Sequence, residues 1–150
     1  MDAVTYPDGT VVDFIDQNVV PLRIPSDDRL AAEFNVKWTP TLVTLDPSGK
    51  EHHRTLGFLK PEELIASVLL GIGKSRFETG KFETAVESFD KIIGAHPKSG
   101  SAPEAIFLRG VSLFKSTHDP KPLKAAYEKL AAEYPDNEWT GRAYPYRLLE

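Results

Sequence analysis

Apolar and polar positions follow two different rhythms along the chain, and the change falls near residue 60. Before it, short β-type runs mix with short helical ones. After it, the pattern is helical throughout. Val11, Val12, Phe14 and Ile15 follow Asp8-Gly9 and predict a short helix. "VVPLRI" (19–24) and "TPTLVTLD" (39–46) are β-rich and predict strands, the second an inner one. Pro21 has no N–H for a ladder, so it belongs at its strand's start or on a non-bonded side. "SDDRLAAEFN" (26–35) predicts a helix capped by Ser26, with Leu30, Ala31 and Phe34 as its stripe. Asp46-Pro47-Ser48-Gly49 has the residues of a type I turn. "KEHHRTLGF" (50–58) is then a polar partner strand whose charges suit an edge.

Beyond residue 60 four amphipathic helices are expected. Pro61, Glu62 and Glu63 open the first, with Leu64, Ile65, Val68, Leu69 and Ile72 as its stripe. Phe82, Ala85, Val86, Phe89, Ile92 and Ile93 mark the second, closed by Gly94 and Pro97. Ser101-Ala102-Pro103-Glu104 has capping-box spacing ahead of Ile106, Leu108, Val111 and Phe114. Leu123, Ala126, Tyr127, Leu130 and Tyr134 form the last stripe, which stops at Pro135. "FETAVESFDKIIGAHPKS" aligns with "KPLKAAYEKLAAEYPDN" at a period of 38 residues, pairing Phe89 with Tyr127, Ile92 with Leu130 and Pro97 with Pro135. Ala105 and Ala143 follow each proline at the same distance.

Charge and composition narrow the function classes. The 150 residues carry a formal net charge of −4, so no basic surface points to nucleic acid or an anionic membrane. No apolar run reaches the roughly 18 residues of a membrane helix. "MDAVTYPDGTVV" lacks the basic-then-apolar pattern of a signal peptide, which leaves the cytoplasm as the default location. There is no cysteine, hence no thiolate for a metal or for catalysis. His52 and His53 are strand neighbours, so strict alternation sends them to opposite faces and away from one metal. Asp27–Asp28 and Glu62–Glu63 read as helix-start charges. "GIGKS" (71–75) lacks the strand and the upstream glycine of a phosphate loop. No metal, cofactor or catalytic residue is expected.

Two resemblances organise these elements. Gly73, Gly80, Ala85, Phe89 and Pro97 sit at tetratricopeptide (TPR) spacing, so residues from about 66 resemble two such repeats and the opening of a third. Gly110 falls one residue early and "THDPKP" replaces a one-glycine turn, and a plain four-helix bundle is the alternative. Two repeats fall short of the three or so that stand alone, so the array should pack on the first part. In the aromatic tail, Trp139, Tyr144 and Tyr146 either cap the last repeat or form an association patch.

The first part, with "VVPLRI", "FNVKWTPT", "LDPSGKE" and "LGF" before a helix, resembles the C-terminal part of a thioredoxin fold. That resemblance implies a cis Thr39–Pro40 bond. It also implies that Trp38, Thr39 and Pro40 line a site for an extended peptide, bound through main-chain hydrogen bonds; a purely structural turn is the other reading. It further implies a strand and a CxxC motif ahead of Met1. The natural start lies upstream, the remaining strands close the gap, or another chain fills it; the first is preferred.

The expected fold is α/β then α: an incomplete thioredoxin-like sheet (1–73) followed by a short TPR-like unit (66–150), sharing the helix from about residue 60. The expected function is a redox-inactive module that binds a protein or extended peptide, with homo-oligomers through unpaired strands or the aromatic tail. The alternative is a truncated thiol–disulfide oxidoreductase whose CxxC lies upstream of Met1.

Overall fold

A computed structural model describes residues 1–150. The first element, α1 (Gly9–Asn18), is capped by Asp8, whose carboxylate accepts from the N–H of Thr10 at 2.9 Å and of Val11 at 3.3 Å. The next helix, α2 (Arg29–Glu33), is one turn long. Asp28, rather than Ser26, caps it, by accepting from Leu30 N–H at 2.8 Å. Asn35 ends it in the left-handed region at φ 53°, letting Val36 N–H reach back to Ala31 O and Asn35 N–H to Ala32 O.

Strands β1 (Thr41–Leu45) and β2 (Glu51–Leu56) form an antiparallel two-stranded sheet. The turn between them is as expected. Asp46 Oδ1 accepts from Ser48 N–H at 2.8 Å and Lys50 N–H at 3.1 Å, and Gly49 takes φ 86°. The expected strand over 19–24 is not formed. Those residues have no regular secondary structure and no ladder partner, because a strand is made by its neighbour and the sheet holds only β1 and β2. The gap in the thioredoxin-like sheet is therefore not closed by the remaining strands.

Four long helices follow: α3 (Pro61–Glu78), α4 (Phe82–Ala95), α5 (Ala102–Thr117) and α6 (Lys121–Glu133), then α7 (Glu138–Ala143) and a 3-10 turn (Tyr144–Leu148). Each helix packs on the next, as stacked helical hairpins do. Gly73 lets the Phe89 ring approach so closely that a Cβ there would lie 2.5 Å from it. Gly110 does the same for Ala126, at 2.8 Å, although it falls one residue early in the repeat. The period is visible in burial: Ile92 and Leu130 are both fully buried, as are Ala105 and Ala143. Tyr134 O–H donates to Pro97 O, tying the end of one unit to the end of the other.

The capping box expected at Ser101 does not form. Ser101 makes no side-chain cap bond, and Glu104 turns away to meet Lys74 Nζ of α3 at 3.1 Å. A pairing partner on a neighbouring helix displaces the local cap.

The helix α3 is the common core. Leu64 and Val68 bury against Val11 of α1 with Leu42 of β1 packed alongside, while Leu69 and Leu70 bury against Ala85, Phe89 and Ile92 of α4. Gly71 admits Thr44 of β1, whose Oγ1 would lie 2.4 Å from a Cβ at that position. The short array thus leans on the first part, as its length required. At the other end, Trp139 and Tyr146 cover Phe107 with ring centroids 5.2 and 5.9 Å apart, and Tyr144 meets Tyr127 at 6.0 Å. The tail rings thus pack on α5 and α6, while Tyr144 stays half exposed.

Candidate functional site

Packing is uneven. Of residues 1–40 only Thr5, Val11 and Ala31 are buried, and most of the large exposed apolar side chains lie in the first 58 residues. The loop Val36–Pro40 lies within this region.

Trp38 is 67% exposed. Ser26, Val36, Lys37, Trp38 and Thr39 line an open recess of about 370 Å³. The loop is held from both ends. Arg54, paired through both oxygens of Glu51 at 2.6 and 3.0 Å, donates to Phe34 O and fixes the entry. Thr41 Oγ1 donates to Trp38 O, and Gly57 N–H donates to Pro40 O at 2.8 Å. The Thr39–Pro40 peptide bond is cis. Between these anchors the N–H and C=O of Thr39 make no hydrogen bond. Thr39 lies two residues ahead of β1, whose edge away from β2 has no pairing strand. So the three residues named from sequence come together: an exposed aromatic plane beside a main-chain donor and acceptor left open.

His52 and His53 do not point to opposite faces. Opposite Leu45 the ladder shifts by one residue, so His52 is the extra residue of a β-bulge. A bulge breaks strict alternation. Both histidines therefore reach α3 rather than opposite faces. The His52 side chain is fully buried, with Nε2 2.7 Å from Asp46 Oδ2 and Nδ1 2.7 Å from Glu78 Oε2. Carboxylates only accept, so both ring nitrogens donate and the ring is an imidazolium. The bond to Asp46 and then that to Glu78 raise its pKa, against the opposing effect of burial. His52 in turn, with Ser48, holds the Asp46 carboxyl well below its usual range. The result is a clamp from the hairpin turn to the last turn of α3.

His53 is the opposite case. Burial, then the Lys74 ammonium, lower its pKa to about 4. Lys74 Nζ lies 3.5 Å from Nδ1, so Nδ1 is the bare nitrogen and Nε2–H donates to Ser67 Oγ at 3.2 Å. Ser67 receives a hydrogen bond from His53 and is not activated by it. Neither histidine belongs to a group of side chains that could hold a metal ion. The signal missed in the sequence is pairing across distance: nothing local announces that Glu78 meets His52.

The family profile for a thioredoxin-like domain matches residues 2–70, and that for a tetratricopeptide repeat matches residues 67–99. No curated protein and no solved structure matches the chain. The fold is an incomplete thioredoxin-like α/β part followed by helical repeats. No helix is long and apolar enough to cross a membrane.

Proposed function

We propose that the chain is a protein-interaction module that holds an extended peptide along Thr39 and the open edge of β1, with Trp38 as the side-chain anchor. The observation that carries this is the unbonded main chain of Thr39 beside the exposed Trp38. An added strand would take its main-chain hydrogen bonds from that edge and its selectivity from the recess. The tetratricopeptide match supports the broader reading, because such repeats generally mediate protein–protein contacts. Here they also supply α3, the floor on which the hairpin rests. The chain has no cysteine, so this reading needs no thiol chemistry.

The test is selection of binders from a displayed random-peptide library, followed by titration. Trp38→Ala should weaken the selected peptides by about tenfold or more, the loss typical of a buried aromatic anchor. N-methylation of the peptide backbone at alternate residues should abolish binding. Peptides indifferent to both changes would place recognition elsewhere.

A second reading is favoured by the thioredoxin-like match: the chain is the peptide-binding part of a longer thiol–disulfide oxidoreductase. Two cysteine codons in CxxC spacing, in frame ahead of the Met1 codon, support it. A stop codon or unrelated sequence there sinks it.

A further inference from the structure

We propose that two copies of the chain pair reciprocally, residues 20–24 of each adding as a strand to the open edge of β1 in the other. The inference rests on the reading above that this edge accepts a strand.

Two unsatisfied elements lie in one molecule. The main chain of Val20–Ile24 makes no hydrogen bond at all, and the segment's one polar tether is the exposed Arg23–Asp2 pair at 3.1 Å. Val20 is 96% exposed and Leu22 is 79% exposed. The residues before Pro21 and Pro25, Val20 and Ile24, are biased to extended backbone, and Val19 is extended at φ −141°, ψ 165°. The segment has strand preferences and open main-chain groups, and no partner.

Its chemistry also selects an edge. Alternate residues of a strand present their N–H and C=O to the same side. Pro21 spoils one side by lacking an N–H. The other side, made by Val20, Leu22 and Ile24, has every donor and acceptor. On β1, Thr41–Leu45 carries no charge, and only Arg23 is charged in the segment, so no like charges oppose the pairing.

A second copy is the occupant because each molecule holds both halves of the contact. One copy gives a strand and receives one, so two copies close on a twofold axis with neither element left over. Thr39 lies two residues ahead of the β1 edge, so a seated partner strand covers the peptide site. The dimer is then the closed state, and a bound peptide competes with it.

The experiment is sedimentation of the full chain across a concentration series, with thiol cross-linking as a second readout. The expected mass at high concentration is twice 16.7 kDa. Leu22→Glu should weaken the dimer at least tenfold; Leu22 is exposed, and an unchanged thermal melt verifies that the variant folds. The chain has no cysteine of its own, so single-cysteine variants report one site each. Leu22→Cys mixed with Leu45→Cys should cross-link through a short bismaleimide in preference to Leu22→Cys mixed with Leu148→Cys. A monomeric mass throughout overturns the inference. So does a dimer that Leu22→Glu leaves intact and that cross-links equally to Leu148. A monomer that still binds selected peptides overturns this inference alone. The expected cross-link in the dimer supports this inference; a monomeric Leu22→Glu variant, its edge uncovered, that then binds no peptide overturns the peptide reading alone.

Discussion

Gly71→Ala weighs the seat of the hairpin on α3. A Cβ at position 71 would lie 2.4 Å from Thr44 Oγ1, 2.9 Å from Thr44 Cγ2 and 2.8 Å from Thr44 Cβ. Rotating Thr44 about χ1 moves the first two atoms but not the third, so the hairpin itself must shift. Over-packing of this kind costs about 1–3 kcal/mol. Against it stands the gain of alanine over glycine in a helix interior, about 1 kcal/mol. The net expectation runs from near zero to about 2 kcal/mol of destabilisation. Thr44→Gly removes all three atoms. In that background the same substitution should stabilise by about 1 kcal/mol, because only the helix term is left. Urea unfolding followed by circular dichroism, with linear extrapolation, gives the four stabilities of the double-mutant cycle. The coupling should equal the over-packing term alone. Equal stabilisation in both backgrounds would refute the placement of β1 against α3.

The two histidines should affect stability with opposite signs. His52 has a folded pKa above its unfolded value near 6.5, so its contribution is complete below that pH and is lost as pH rises through the folded value. Urea midpoints should therefore fall on the alkaline side in the parent, and His52→Gln should flatten that decline; an unchanged profile would remove the clamp. His53 has a folded pKa of about 4, below its unfolded value, so stability is lost as pH falls from about 6.5 towards that figure. In a proton NMR titration the His53 ring signals should stay flat down to about pH 5. A midpoint near the ordinary value would contradict its burial beside Lys74.

Elements with their own local signals were legible in the residues. Pro61 with two glutamates opened α3, Asp46 through Gly49 made the turn, and the Phe89–Tyr127 and Ile92–Leu130 correspondence exposed the repeat. The cis Thr39–Pro40 bond was legible too, through the resemblance carried by the contiguous Trp38-Thr39-Pro40. What was not legible depends on neighbours distant in sequence. The run 19–24 has every strand preference and no strand beside it, so propensity without a partner left it as coil. Glu104 satisfied the spacing of a cap, yet Lys74 from another helix took its carboxylate. The bulge at His52 is a property of two strands in register, and alternation along one strand cannot foresee it.

The helix α3 has a practical consequence for anyone who divides this molecule. Most helices in a two-part protein have one owner, and a cut on either side leaves a whole piece. Here the hairpin and α1 sit on one flank of α3 and α4 on the other, with Gly71 and Gly73 giving up their side chains to opposite tenants. A fragment ending before Pro61 has a sheet without a floor. One beginning after Glu78 has a repeat without its first helix. Sequence change along Leu64–Gly73 must suit both flanks at once.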